Sequence, residues 1–125
     1  MPHTITYNSE VHILEANIQG DYLVDEAKQL MIETLKMIEE HDCFRILIDV
    51  RDAELKLSAW EIYSASLNFS EAAIASDLPI LKTKRAIVET EESKDTKYVE
   101  TLFAKRGHRV KLFQDVDEAK EWLLK

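Results

Sequence analysis

The sequence predicts an α/β fold: one mixed, mostly parallel sheet of about five strands with four helices. Short apolar segments of strand length alternate with longer segments whose apolar residues recur every three or four positions. The resulting element order is ββαβαβαβα. With 125 residues, the chain suits one domain spanning 1–125 that has a core of its own.

The N-terminal third predicts two strands and a helix. Residues 5–7 and 11–18 are short apolar segments separated by a turn-forming pair at 8–9, so we expect them to pair antiparallel. Gly20 is expected to end the second strand. Apolar residues of helical spacing then run over 23–38, which is typical of a helix lying on a sheet.

Residues 44–50 predict the central strand, whose alternate side chains point to opposite faces of the sheet. The charged residues Asp49, Arg51 and Asp52 surround its carboxyl end. Ligands and partners of open α/β sheets collect at such ends. These side chains could therefore form a polar recognition site, although an Arg–Asp ion pair on a solvated loop also explains them.

A second helix is predicted from Ser58 to about Ser76, with an end at residues 77–79. Ser58 and Glu61 match the capping box, in which a serine hydroxyl and a glutamate satisfy backbone amides reciprocally. As an N-cap, Ser58 needs no further role. The alternative is a regulatory phosphosite, because free amides at a helix N-terminus stabilise a phosphate.

This second helix is poor in charge and apolar on two sides. Residues 57–76 contain only two charged side chains, Glu61 and Glu71. Because a surface helix needs one apolar face, a second one predicts a partner protomer, a partner protein or an apolar ligand. Deep burial of the helix in its own core is the alternative. One helical stripe contains Trp60, Tyr63, Leu67 and Ile74, and Ile62, Phe69 and Ala73 lie off it.

The C-terminal third predicts a strand at 85–89, a helix at 93–106 closed by Gly107, and a strand at 109–113. A last helix is expected after an N-cap in the segment 115–118. The inward-facing residues of this last helix are predicted to be Val116, Ala119, Trp122 and Leu123.

Charge and composition argue against several classes of function. A net charge of −8 disfavours nucleic acid as a partner, and two glycines leave no room for a phosphate-binding loop. The basic segment 105–111 is expected to complement a helix dipole and protect an edge strand rather than to bind anions. A single cysteine, Cys43, excludes an internal disulfide, and neither a metal site nor a cofactor is predicted.

No apolar run approaches the roughly 20 residues of a membrane span, and the N-terminal residues lack the pattern of a signal peptide. We therefore expect a cytoplasmic protein. No catalytic signature is present, so we expect no enzyme activity.

The layout resembles the STAS-like superfamily, within it the bacterial group called SpoIIAA-like or STAS/SEC14-like. The resemblance covers nearly the full chain. Its first elements are the strand ending in Gly20 and Arg-Ile-Leu-Ile-Asp at 45–49, followed by a loop and a helix. Its later elements are 85–88, 110–113 and 117–123.

This resemblance implies a regulatory module. In anti-sigma factor antagonists the loop after the central strand carries a serine in an Asp-Ser-Ser/Thr-Gly-like element, and its phosphorylation switches binding to a kinase partner. The corresponding residues 50–58 lack that element, and Ser58 is the nearest candidate. The likeness of the subgroup to lipid-exchange domains implies an apolar ligand.

We therefore expect a non-enzymatic STAS-like regulatory or protein-interaction module that binds a protein partner or itself. The predicted surface is a loop at 51–57 with the N-terminal half of the second helix. The alternative is a small apolar-ligand or lipid-binding module that uses the same helix as a pocket wall. The predicted site residues are Asp49, Arg51, Asp52, Ser58, Trp60, Tyr63 and Leu67.

Overall fold

In the computed structural model, five strands form one sheet in the order β1-β2-β3-β4-β5. β1 pairs antiparallel with β2, and all other neighbours are parallel. The structure describes residues 3–75, 77, 82–91 and 93–125, without the side chains at 66, 73 and 95. The strands are β1 (His3–Asn8), β2 (Ile13–Tyr22), β3 (Arg45–Leu55), β4 (Lys84–Val88) and β5 (Arg109–Phe113).

The helices are α1 (Val24–His41), α2 (Ala59–Ala75), α3 (Lys94–Lys105) and α4 (Val116–Leu124). α1, α2 and α3 lie on one face of the sheet, as right-handed crossovers between successive parallel strands require, and α4 covers the other face. The predicted order and the mixed sheet are confirmed. None of the described helices has the length and apolar character needed to cross a bilayer.

Alternate residues of β3 serve the cores on the two faces of the sheet. Leu47 packs with Ala86 and the α4 residue Leu123, whereas Ile46 packs with Ile38 of α1. The predicted alternation along the central strand is therefore confirmed.

A β-bulge lengthens β3 beyond its predicted end. Asn17 pairs with Asp49, but Gln19 pairs with Asp52, so β3 holds one more residue than β2 over this stretch. An extra residue reverses which side chains face a given side of a strand. On the face of the sheet that carries α1, α2 and α3, the chain presents Ile46, Ile48 and Val50 before the bulge. After the bulge it presents Ala53, Leu55 and Leu57 on that face.

Two predicted boundaries near this bulge are wrong. The expected loop at 51–57 is strand as far as Leu55, because its backbone pairs with β2 up to the partner Tyr22. Gly20 does not end β2 either. It lies within the strand opposite Ala53 and has φ +73, a conformation that favours glycine.

Helices α2, α3 and α4 begin where their capping residues predict, whereas α1 follows Leu23 without a side-chain cap. Ser58 Oγ accepts from the Glu61 amide at 3.1 Å, and Glu61 Oε1 accepts from the Ser58 amide at 2.9 Å, which completes the capping box. Ser93 and Asp115 cap α3 and α4. Gly107 follows α3 with φ +82. The predicted end of α2 at Ser76 and 78–79 lies outside the described residues.

Replacing Ser58 by alanine is expected to lower the free energy of unfolding by about 1 kcal/mol, because the Glu61 amide loses its acceptor. Urea unfolding followed by circular dichroism measures the change. The control is Ser58→Asp, which keeps an acceptor oxygen at the N-cap and should stay close to the unaltered chain. Equal losses in both variants would contradict a capping role.

Candidate functional site

A cavity of about 390 Å³ lies between α2 and the sheet. Its floor is formed by β2, β3 and β4, its walls by α1 and α3, and its roof by α2. Ligand pockets commonly measure about 300–1,000 Å³ and are mostly apolar with a few polar groups. Side chains that represent these surfaces are Ile18, Ile48, Ile87, Leu30, Ala65 and Phe69.

The cavity reaches the surface between α1 and α2. Its exposed lining residues there are Lys28 of α1, with Trp60 and Asn68 of α2. Leu55 and Leu57 line it as well, because the bulge turns the far part of β3 toward the helices. The end of β3 therefore supplies one wall of the cavity rather than a loop.

Arg85 of β4 lies at the closed end of the cavity and is only 5% exposed. Its Nη2 donates to Nδ1 of His108. Its guanidinium carbon lies 4.7 Å from the ring centroid of Phe69 and 4.2 Å from that of Phe103. The Arg85 Nε has no hydrogen-bond partner among the described residues.

The two buried bases at this end differ in charge. Burial lowers the pKa of Arg85 to about 9, so the guanidinium remains a cation at neutral pH. Burial, together with the charges of Arg85 and Arg106, lowers the pKa of His108 to about 4. His108 is therefore a neutral imidazole that accepts at Nδ1 and carries its proton on Nε2.

Asp49 and Arg51 lie on the opposite face of the sheet from the cavity. Arg51 Nε and Nη2 donate to the two Asp49 carboxylate oxygens at 3.0 and 2.7 Å, and these hydrogen bonds hold the pKa of Asp49 below its usual value. The hydrogen bond with Asp49 also raises the pKa of Arg51, and the nearby carboxylate of Asp115, the N-cap of α4, adds to the shift. Asp52 is exposed.

The rule by which ligands are expected at the carboxyl end of the central strand does not apply to this sheet. The strand order runs from β1 to β5 without reversal, so there is no topological switch point at the end of β3. The Asp49–Arg51 pair is a bidentate ion pair within one strand. A binding role for Asp49, Arg51 and Asp52 stays a prediction.

The other predicted site residues lie on α2, beside the mouth or on its outer side. Trp60 is 72% exposed, and its ring stacks on Tyr63 with 5.9 Å between centroids. Tyr63 and Leu67 are half-buried, and Ser58 caps the helix. Of the α2 side chains that the structure describes, the buried ones are instead Ile62 and Phe69. α2 thus has two apolar sides, one over the cavity and one partly in solvent.

A second, basic cleft of about 320 Å³ lies at the amino ends of the parallel strands. Arg109 of the predicted basic segment meets cations there that are distant in sequence. Arg109 and Lys111 are exposed on β5, which is an edge strand as predicted. The cations that line this cleft are Arg45, Lys82, Lys84, Arg109 and Lys125.

No family model matches the sequence, and no curated protein matches it significantly. Solved structures do match its fold. An uncharacterized DUF3478-family protein with a SpoIIAA-like fold from Shewanella loihica PV-4 is 18% identical, with a TM-score of 0.60 over 97% of this chain and 91% of that one. The unphosphorylated anti-sigma factor antagonist SpoIIAA is 9% identical, with a TM-score of 0.62 over 97% and 96%.

An anti-sigma factor antagonist from Mycobacterium paratuberculosis is 14% identical, with a TM-score of 0.59 over 98% of this chain and 95% of that one. The chain has the SpoIIAA-like fold. The expected resemblance is thereby confirmed for the fold. At such identities the SpoIIAA-like fold carries no assignment of ligand, partner or site residues.

Sequence reasoning missed Arg85 and His108 as a buried pair. One signal was present: Arg85 shares a strand face with Ile87, and that face points into the core. A cation at a core-facing strand position is unusual, because charged side chains are almost never fully buried unless paired. The partner His108 follows α3 and could not be assigned without the tertiary fold.

The neutral state of His108 predicts a specific pH dependence. Between about pH 6.5 and about pH 4 the unfolded chain binds a proton at this histidine while the folded chain does not. Stability therefore rises with pH across this window and is lost as the pH falls. His108→Gln keeps an acceptor for Arg85 but cannot titrate, so its urea midpoint should fall less between neutral pH and about pH 4. Urea midpoints that fall equally in both proteins over this pH range would contradict a buried neutral His108.

Proposed function

We propose that this protein is a binding module of the SpoIIAA-like fold that holds a small apolar molecule between α2 and the sheet. The observation that carries the proposal is the apolar cavity of about 390 Å³ beneath a helix that rests on its neighbouring helices. Protein interiors contain few voids larger than a water molecule, so an apolar space of this size calls for an occupant.

Binding rather than catalysis is supported by the chemistry of the lining. Among the described residues, no histidine, cysteine or aspartate lines the cavity, and the carboxylate that does, Glu61, accepts from the Ser58 amide in the capping box. A nucleophile with an adjacent base, or a positioned general acid, would have to come from such side chains in most enzymes. The apolar floor suits a ligand held by burial.

The position of α2 supports a regulatory role for such a ligand. α2 forms the roof of the cavity and also presents Trp60 and Ile74 to solvent, at 72% and 74% exposure. A molecule that enters beneath the helix would change its height or tilt, and so the surface that it presents. Two of the neighbours in fold are anti-sigma factor antagonists, which is consistent with a module that regulates other proteins.

Filling the cavity is expected to block binding of an apolar probe. Trp60 lines the mouth and Trp122 lies on α4, so in a Trp122→Phe background dodecanol should shift the Trp60 emission. Adding Ala65→Phe places a ring in the cavity and should weaken dodecanol binding at least about tenfold, because the ligand volume is lost. Ala75→Phe, at an exposed position of the same helix, is the control and should bind as before. Equal binding by both variants would contradict the cavity as the site.

The outer side of α2 favours a second candidate function, self-association. Trp60 and Ile74 are among the most exposed large apolar residues described, and half-buried Leu67 lies between them on one stripe. Exposed apolar stripes on a charge-poor helix are typical of protein interfaces. We propose a second copy of this chain as the partner, packed helix to helix.

Trp60→Glu is expected to convert a dimer to a monomer, because the charge would have to be buried at the interface. Light scattering gives the mass in solution, and native mass spectrometry shows whether the unaltered chain carries a dimer or a retained small molecule. Ile32→Glu, at an exposed apolar position on α1, is the control and should leave the mass unchanged. An unaltered chain that stays monomeric at all concentrations would rule out this second candidate.

A further inference from the structure

Arg85 is a buried cation that lacks a counter-ion among the described residues. An unpaired buried charge is costly, and buried arginines normally pair with a carboxylate. The other buried charged residue near this strand, Glu89, makes its hydrogen bonds away from Arg85 through Oε1, and its Oε2 has no partner among the described residues. Its Oε1 accepts from the Ser93 amide and from Thr96 Oγ1. Four residues along an extended chain place the Cα atom of Glu89 about 13 Å from that of Arg85, and no ion pair joins the two side chains among the salt bridges of the described residues.

The surroundings of Arg85 compensate its charge only in part. The rings of Phe69 and Phe103 lie against the guanidinium, and His108 accepts one hydrogen bond. These groups are aromatic faces and a neutral imidazole, so they supply no negative charge. Within the described part of the chain, the Arg85 Nε has no acceptor, although arginine donors match a carboxylate well.

Resting on the proposed function, we infer that the molecule held in the cavity is an apolar monocarboxylate, such as a fatty acid, whose carboxylate pairs with Arg85. One carboxylate neutralises one guanidinium. A phosphate monoester, with nearly two charges, would leave negative charge buried in an apolar space. A neutral apolar ligand would leave Arg85 unpaired.

The geometry also orients this ligand. Arg85 lies at the closed end, opposite its strand partner Ile46, which is fully buried. The exposed residues Lys28 and Trp60 mark the open end, and Trp60 precedes Phe69 on α2 by nine residues. The carboxylate therefore enters first, and the apolar chain extends from Arg85 toward the mouth.

The deciding experiment compares two probes of equal chain length on the unaltered chain at neutral pH. Dodecanoate is expected to bind at least about tenfold more tightly than dodecanol, since only the carboxylate forms an ion pair with Arg85. Isothermal titration calorimetry measures both affinities. If dodecanol binds and dodecanoate binds no more tightly, the carboxylate inference fails while the proposed function stands. If neither probe binds, both fail.

Arg85→Met tests the residue itself, because methionine has a similar length and no charge. Its affinity for dodecanoate should fall at least about tenfold, so that the preference for dodecanoate over dodecanol is lost. Its melting temperature should not fall, since an unpaired buried charge is removed. A purely structural Arg85 predicts the reverse, a lower melting temperature with the preference intact. Arg109→Met, on the exposed edge strand, is the control. If Arg85→Met does not fold, the affinities of the unaltered chain for dodecanoate and dodecanol still test the carboxylate inference.

Discussion

The parallel pairing of β2 with β3 is the constraint on which the rest of the structure depends. These strands pair from Leu14–Ile46 to Tyr22–Leu55, well past the part of β3 that pairs with β4. The inner half of the pair builds both cores. The outer half follows the β-bulge and projects beyond the rest of the sheet. Its apolar side chains lie only on the face that carries α1, α2 and α3. The cavity is open here because this extension forms part of its floor, while no described strand pairs with the extension on the β4 side.

The position of α2 follows from the same extension. Only Lys56, Leu57 and Ser58 separate the end of β3 from the helix, so α2 begins at the far end of the projecting strands and runs back over the sheet. It meets α1 and α3 through Phe69, which packs with Leu35 and Phe103. These bulky side chains support the helix above the sheet. Smaller lining residues such as Ala65 leave open the space beneath its N-terminal half.

Local chemistry made much of this fold predictable from the sequence. Alternation along residues 44–50, the capping box at Ser58 and the glycine after α3 each depend on neighbours in the chain, and all three are confirmed. The end of β3 was predicted wrongly, because charged residues in a strand that projects into solvent resemble a loop. The cavity and the contact of Arg85 with His108 depend on packing between distant elements, and periodicity does not report on that packing.

A buried arginine without a counter-ion among the described residues is a feature that stability alone does not explain. A neutral side chain of similar volume on β4 would avoid the desolvation of a charge and could pack equally well against Phe69 and Phe103. Such costs are common where a binding site needs a group that the folded chain does not. The apolar floor can attract any apolar molecule of suitable size, so it provides affinity with little discrimination. In the binding that we propose, a carboxylate would gain an ion pair with the cation at the closed end and a neutral group would not, and this difference in affinity would make the site selective.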